Sequence, residues 1–275
     1  MTHGDTSPGP GVEPFEVFAL RYAVHRGRRQ VDNFIGADPH EAGSDLSYYI
    51  WVARRSDRVF VVDTGFGQEA AAGRGRTLLA QPADRLRLLG IDPARVEDVI
   101  LTHLHYDHAG TLGDFPHARF HVQDHEAAFA TGRCMCHSVL RQAYDVENVV
   151  GFVRALYGGR VQFHDGSAEL APGLWVHRIG GHTAGLQVVR VWTRRGWVVL
   201  ASDAAHLYAN LHQRLPFPIV HDVGALLEGY QMLHTLADTP DHIVVGHDPL
   251  VASIYPGLSS SGDIVRLDAP PRPLA

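Results

Sequence analysis

At 275 residues, with 45% hydrophobic and 20% charged side chains, the chain has enough apolar mass for a substantial core. A formal net charge of −6 argues against a nucleic-acid partner, which needs a basic face. No apolar run approaches the roughly 20 residues that span a bilayer, so no membrane partner is expected.

The opening MTHGDTSPGPGVEPF is polar and rich in Gly and Pro. It has no basic start followed by an apolar stretch, so it does not read as a secretory signal and the expected location is cytoplasmic. Residues 1–14 are predicted to be disordered or draped, residues 15–258 to form a single domain, and residues 259–275 to be a peripheral tail. FEVFALRYAV and SYYIWVARRSDRVFVVDTG read as strands, with a polar turn at Arg54–Asp57. Between them, DNFIGADPHEAGSD is a long irregular segment of the kind that covers binding sites. DRLRLLGI has helical spacing and is broken by Asp92-Pro93 before the strand VEDVILT.

ARFHVQ then reads as a short strand and DHEAAFATG as a helix. LWVHRIG, LQVVRVWT and GWVVLASD are strands, VGALLEGYQMLHTLAD is the clearest amphipathic helix, and HIVVGHD is a last strand with a polar end. Cys134 and Cys136, the two cysteines, sit too close in sequence to close on each other without strain. Cys-Met-Cys-His is a pattern that can bind a soft metal, but it reads more simply as a loop with incidental thiols. The 19 histidines are the larger anomaly.

Their placement carries the chemistry. Apolar runs end in candidate metal ligands at VILT before His103, VHRIGG before His182, VVLAS before Asp203 and IVVG before His247. A strand end is rigid enough to fix such a ligand. THLHYDHAG, Thr102–Gly110, crowds His103, His105, Asp107 and His108 together. His103 and His105 are two apart and point the same way in an extended segment; Asp107 and His108 follow after the chain turns and can face a second ion. Imidazole and carboxylate suit zinc and its first-row neighbours, whereas calcium or magnesium would want oxygen alone. Taken singly, His182 or His247 is an ordinary loop or core histidine and Ser-Asp an ordinary helix cap. Jointly, at strand ends, the motifs point to a dinuclear metal site. His117, His121, His125 and His164 stand apart from these motifs and read as surface or satisfied core residues.

HLHYDH, GGHTAG, ASDA and VGHD, in that order, resemble the metallo-β-lactamase superfamily over about residues 49–249. The resemblance implies an α/β fold, an αβ/βα four-layer sandwich of two mixed β-sheets with metals at one edge. It implies two divalent ions, Zn2+ the first choice, with His103, His105 and His182 on one, Asp107, His108 and His247 on the other, and Asp203 bridging. Asp63, in the turn Asp63–Gly65, would orient a ligand histidine. Within the superfamily the chain looks most like the N-acyl-homoserine lactone lactonases. That branch commonly carries a tyrosine three residues after the bridging aspartate; here the position is His206, and the nearest tyrosine is Tyr208.

The expected function is therefore a metal-dependent hydrolase that opens a small-molecule lactone, an N-acyl-homoserine lactone first, which would make it quorum quenching. A metal pair would make hydroxide available near neutral pH. Asp107 would accept a hydrogen bond from the nucleophile, and His206 or Tyr208 would assist at the developing oxyanion. Phe34, Ile35, Tyr144 and Phe152 are candidates for the pocket wall, though core packing explains them equally well. Alternatives are a lactone of aromatic or cofactor catabolism and a glyoxalase II-like thioester. A di-iron redox protein is disfavoured, since flavodiiron proteins place a carboxylate where His105 stands and append a flavin domain. The sequence leaves the oligomeric state open, a homodimer included.

Overall fold

The structure is a computed structural model that describes residues 8–9, 11–258 and 262–273. In chain order its strands are β1 (Glu16–His25), β2 (Leu46–Arg55), β3 (Arg58–Val62), β4 (Thr77–Leu78), β5 (Asp98–Ile100), β6 (Arg119–Gln123) and β7 (Val161–His164). They continue with β8 (Ser167–Ala171), β9 (Leu174–Arg178), β10 (Gln187–Thr193), β11 (Gly196–Ser202), β12 (Ile243–Val245) and β13 (Ile264–Arg266). One sheet runs β13-β1-β2-β3-β5-β6-β7, with β4 added against β1; the other runs β12-β11-β10-β9-β8. Both are mixed. In the first sheet β3, β5, β6 and β7 pair in parallel and the rest antiparallel; in the second only β11 and β12 are parallel.

Period-2 alternation sorts the side chains of the first sheet into two layers. Val17, Ala19, Trp51, Ala53 and Val62 face inward and pack with Val176, Val189 and Leu200 of the second sheet. Phe18, Leu20, Ile50, Val52 and Val61 face outward, where Leu86 of the helix Pro82–Leu88 and Phe152 and Ala155 of the helix Val146–Tyr157 cover them. The helix Val223–Leu236 carries Leu226, Tyr230 and Leu233 at i, i+4 and i+7 and covers the second sheet. The result is the αβ/βα four-layer sandwich.

Gln187 joins the sheets at the edge where the polar strand ends meet. Its backbone N–H donates to the Thr102 carbonyl (3.0 Å), and its Nε2 donates to the carbonyls of Leu101 (2.8 Å) and His121 (3.1 Å).

The segment beyond residue 258, expected to be peripheral, behaves differently where it is described. β13 pairs with β1, Leu267 is fully buried in the inner core, and Asp263 accepts from Arg21 (2.7 Å) and Arg85 (2.8 Å). Three residues are too few for a periodicity to show, and the pairing partner lies more than 240 positions away. Residues 1–7, part of the expected draped segment, and residues 259–261 lie outside the described residues. Among the described residues no helix is long and apolar enough to cross a membrane.

Leu267→Ala tests this integration. A buried leucine in a packed core is worth about 2–5 kcal/mol, so urea unfolding should show a loss of that size; a peripheral tail would show almost none.

Candidate metal centre

β3 and β5 run parallel with Val62 opposite Ile100, so the residues that follow them, Asp63 and Thr102, emerge side by side. β11 and β12 are the parallel pair of the other sheet, and Asp203 and His247 follow their ends. His182 lies in the loop between β9 and β10. The strand ends thus deliver their polar residues to a common edge, where His103, His105, His108, His182, Asp203 and His247 are all buried.

The cluster divides into two sets. His103 Nε2, His105 Nδ1 and His182 Nε2 form a triangle with edges of 3.0, 3.1 and 2.9 Å. On the other side, His108 Nε2 and His247 Nε2 lie 3.6 and 3.7 Å from Asp107 Oδ2. Asp203 stands between them. Its Oδ2 is 3.3 Å from His182 Nε2, and its Oδ1 is 3.2 Å from His108 Nε2 and 3.0 Å from His247 Nε2.

Tautomers are set from behind, because the nitrogen that donates outward leaves the other bare. His182 Nδ1 donates to the Ile219 carbonyl (2.7 Å), His247 Nδ1 to the Ser47 carbonyl (3.0 Å) and His108 Nδ1 to Asp63 Oδ2 (2.7 Å). Asp63, in the left-handed region at φ 62°, is itself held by the Thr102 backbone N–H and hydroxyl, both at 2.8 Å. Gly246 must lack a side chain: a Cβ there would sit 2.6 Å from the Ser202 carbonyl and 3.0 Å from Asp203 Oδ1.

The donor set fits divalent cations. Neutral imidazoles cannot satisfy one another when three bare nitrogens converge, whereas a tetrahedral zinc with Zn–N of about 2.0–2.1 Å needs such a triangle, with edges of about 3.3 Å. Burial and the neighbouring imidazoles hold His103 and His105 well below the usual histidine range, and burial takes His182 down to about 4. These rings are neutral, with lone pairs available. The second set has the opposite character. Burial would lower His108 and His247, yet Asp203 and Asp107 around both, with Asp63 beside His108, raise them; the field there is negative and unbalanced. His108 Nε2 and Asp203 Oδ1 are buried without a hydrogen-bond partner. A cation in the second set would satisfy both.

Around this cluster the structure adds residues that the motifs do not contain. Glu126, fully buried on the helix Asp124–Thr131, accepts from the Leu104 N–H (2.9 Å), the Tyr144 hydroxyl (3.0 Å) and the Thr183 hydroxyl (2.5 Å). It ties the loop of His103 and His105 to the loop of His182. Tyr144 packs its ring on His105 (4.5 Å between centroids). A cavity of about 160 Å³ opens over the cluster. Leu46, Tyr48, Tyr106 and Ile219 line it together with Arg28, Arg74 and Arg76. Of the expected wall residues, Phe34 packs with Leu46 and Leu207, Ile35 is exposed and Phe152 lies in the outer core. The hydrophobicity of Phe34 and Phe152 serves packing.

His206 is at the site and Tyr208 is not. His206 Nε2 lies 2.8 Å from Asp203 Oδ2, and its ring stacks on Phe217 at 3.5 Å. Burial, opposed by Asp203, brings it down to about 4, so it is neutral. Tyr208 begins the helix Tyr208–Gln213, its hydroxyl buried near Tyr255, Asp248 and Tyr49, and it does not line the cavity over the cluster. Two residues along a turning chain reverse the direction of a side chain. His121, which the sequence sets apart from the cluster, lies 3.0 Å from Asp98 and 3.1 Å from His164.

A four-layer α/β sandwich with a histidine–aspartate cluster of this kind at one edge defines a class of metal-site protein. The chain belongs to the metallo-beta-lactamase superfamily, which it matches over residues 43–247. A probable metallo-hydrolase of Mycobacterium tuberculosis is 27% identical over 237 residues, 75% of this chain and 76% of that protein. The N-acyl homoserine lactonase AttM of Rhizobium johnstonii is 30% identical over 178 residues, 62% of this chain and 65% of that protein, so just under two thirds of its length is matched. A crystallised quorum-quenching N-acyl homoserine lactone lactonase superposes with a TM-score of 0.73 at 21% identity, covering 87% of this chain and 94% of that one. At that identity the likeness is one of fold.

Asp63→Asn tests how far His108 depends on its partner from behind. Zn2+ affinity, read by competition with a chromogenic chelator, should fall roughly 10–100-fold while the circular dichroism of the folded chain is kept.

Proposed function

We propose that this protein is a dinuclear metal-dependent hydrolase that opens a lactone ring. The observation that carries the reading is the division of one buried carboxylate, Asp203, between two sets of imidazoles. His103, His105 and His182 would hold one ion, Asp107, His108 and His247 the other, and Asp203 both, with Zn2+ the first choice. Bound there, two such ions would supply acidified water, its pKa lowered from about 15.7 to about 7, and a Lewis acid for the ester carbonyl.

The chain's own residues do the rest. Asp107 lines the cavity, where its carboxylate can accept a hydrogen bond from the attacking water and hold it in line. A neutral His206 has a single N–H, and committing it to Asp203 Oδ2 leaves none for an oxyanion. His206 therefore positions the shared carboxylate, and Phe217 locks its ring. N-acyl-homoserine lactones are the substrates that the named lactonase relatives support. A second reading, another and more compact lactone, is favoured by the cavity, whose volume of about 160 Å³ is below the usual 300–1,000 Å³ of ligand sites.

A pH-drop assay of metal-loaded protein against short- and long-chain acyl-homoserine lactones, compact lactones, a thioester and a β-lactam tests the reading. Ring opening should vanish on chelation, return with Zn2+ and be abolished in Asp203→Asn; turnover that survives chelation would sink it. His206→Phe should lower kcat by roughly tenfold or more, the scale of a displaced electrostatic contact in an active site. Tyr208→Phe should leave kcat as it is.

A further inference from the structure

Three arginines stand over the metal cluster, and among the described residues none forms an ion pair with a carboxylate, although the Asp32 carboxylate lies near enough to Arg28 to act on its charge. Arg28, Arg74 and Arg76 are half-buried and line the same small cavity as Asp107, Asp203 and His247. Their hydrogen bonds go elsewhere. Arg28 donates to Asn33 Oδ1 (2.7 Å) and to the Asp32 carbonyl. Arg74 donates to the carbonyls of Gln142 (2.9 Å) and Tyr144 (3.2 Å). Arg76 donates to the Tyr106 hydroxyl (3.2 Å) and the Arg74 carbonyl (2.6 Å). Neutral acceptors orient these guanidinium groups but do not cancel their charge.

His25 makes the surplus explicit. Its Nδ1 lies 3.1 Å from Arg28 Nη1 and its Nε2 3.1 Å from Arg76 Nη1. A neutral imidazole accepts at one nitrogen only, so one of these contacts sets N–H against N–H. Burial, Arg76 and Arg28 hold the ring down to about 4, so it cannot ionise to add to the charge, and it supplies no negative charge either. The rim is wired to the metal cluster by tyrosines. Arg74 stacks on the Tyr106 ring (3.9 Å), the Tyr106 hydroxyl meets that of Tyr48 (3.3 Å), and the Tyr48 ring packs on His247 (5.1 Å). Tyr106 is the fourth residue of HLHYDH, so the segment that carries the candidate ligands also places the rim.

Guanidinium groups held rigidly, partly desolvated and without a carboxylate in ion-pair contact form a receptor for an oxyanion, which they bind in planar, charge-assisted pairs. Resting on the lactonase reading above, we infer that Arg28, Arg74 and Arg76 bind a carboxylate on the substrate, making this a hydrolase of compact anionic lactones. The reaction balances without a co-reactant. Water adds to the acyl carbon, the ring C–O bond breaks, the alkoxide keeps a proton and the new acid releases one, so a lactone carboxylate and water become a hydroxy dicarboxylate and H+.

The test pairs γ-butyrolactone with γ-carboxy-γ-butyrolactone, the same ring with and without the anion. Metal-loaded wild type should show kcat/KM at least about tenfold higher for the carboxylated ring, and 0.5 M salt should erode that preference. Arg28→Met and Arg76→Met, each checked for fold and zinc content, should lower the ratio of the two kcat/KM values chiefly through KM; Arg→Lys replaces any variant that misfolds. Calorimetry with 2-hydroxyglutarate, the ring-opened dicarboxylate, reads the site without turnover and should show weaker binding in the arginine variants. Equal rates on both rings, unmoved by the substitutions, would overturn the anion site and leave the lactonase standing. No ring opening, but arginine-dependent binding of 2-hydroxyglutarate, would support the anion site and remove the lactonase reading. Neither preference nor arginine-dependent binding would remove the anion site.

Discussion

Asp203 is the constraint around which the site is organised. A carboxylate buried to this depth is costly unless positive charge or hydrogen bonds surround it. Burial alone would raise it, yet His247, His108 and His206 hold it well below the usual carboxylate range. Its two oxygens face different imidazole sets, and that division makes two centres out of one cluster. Much nearby structure exists to keep it there. Gly246 gives it room, His206 pins Oδ2, and Ser202, in the left-handed region at φ 45°, turns the chain so that the side chain enters the edge.

The sandwich supplies what this carboxylate needs by running its parallel pairs toward the same edge. β3 with β5 in one sheet and β11 with β12 in the other end on Asp63, Thr102, Asp203 and Gly246, and each pair's register fixes its two ends relative to each other. Gln187 then fixes the two sheets to each other, and Glu126 fixes the loop of His103 and His105 to that of His182. Rigid ends with polar partners behind them allow several histidines to converge without the slack that a loop-built site would have.

Charge changes sign over a short distance within the cavity. Carboxylates gather beneath, around His108 and His247; unbalanced guanidinium groups gather at the rim. A cation below and an anion above would each neutralise one end, and a substrate that carries both an ester and a carboxylate would span both. The aromatic chain Tyr106, Tyr48 and His247 keeps the two ends at a fixed separation.

The candidate metal ligands stand out in the sequence because their spacing is local. HLHYDH compresses four of them into six positions, and an apolar run before each remaining ligand marks a strand end. The long strands and the helix Val223–Leu236 were legible for the same reason, since periodicity is a property of neighbours, whereas the four-layer class was implied by the motifs' resemblance to a known family. Only the tertiary structure revealed that β13 completes the first sheet and that Leu267 is core. Only it turned His206 toward Asp203 and Tyr208 away, and brought His25, Arg28, Arg74 and Arg76 over His247. His25 and Arg28 lie on one segment and Arg74 and Arg76 on another, with His25 and Arg76 51 positions apart, and an arginine's want of an ion-pair partner appears only once the chain has folded around it.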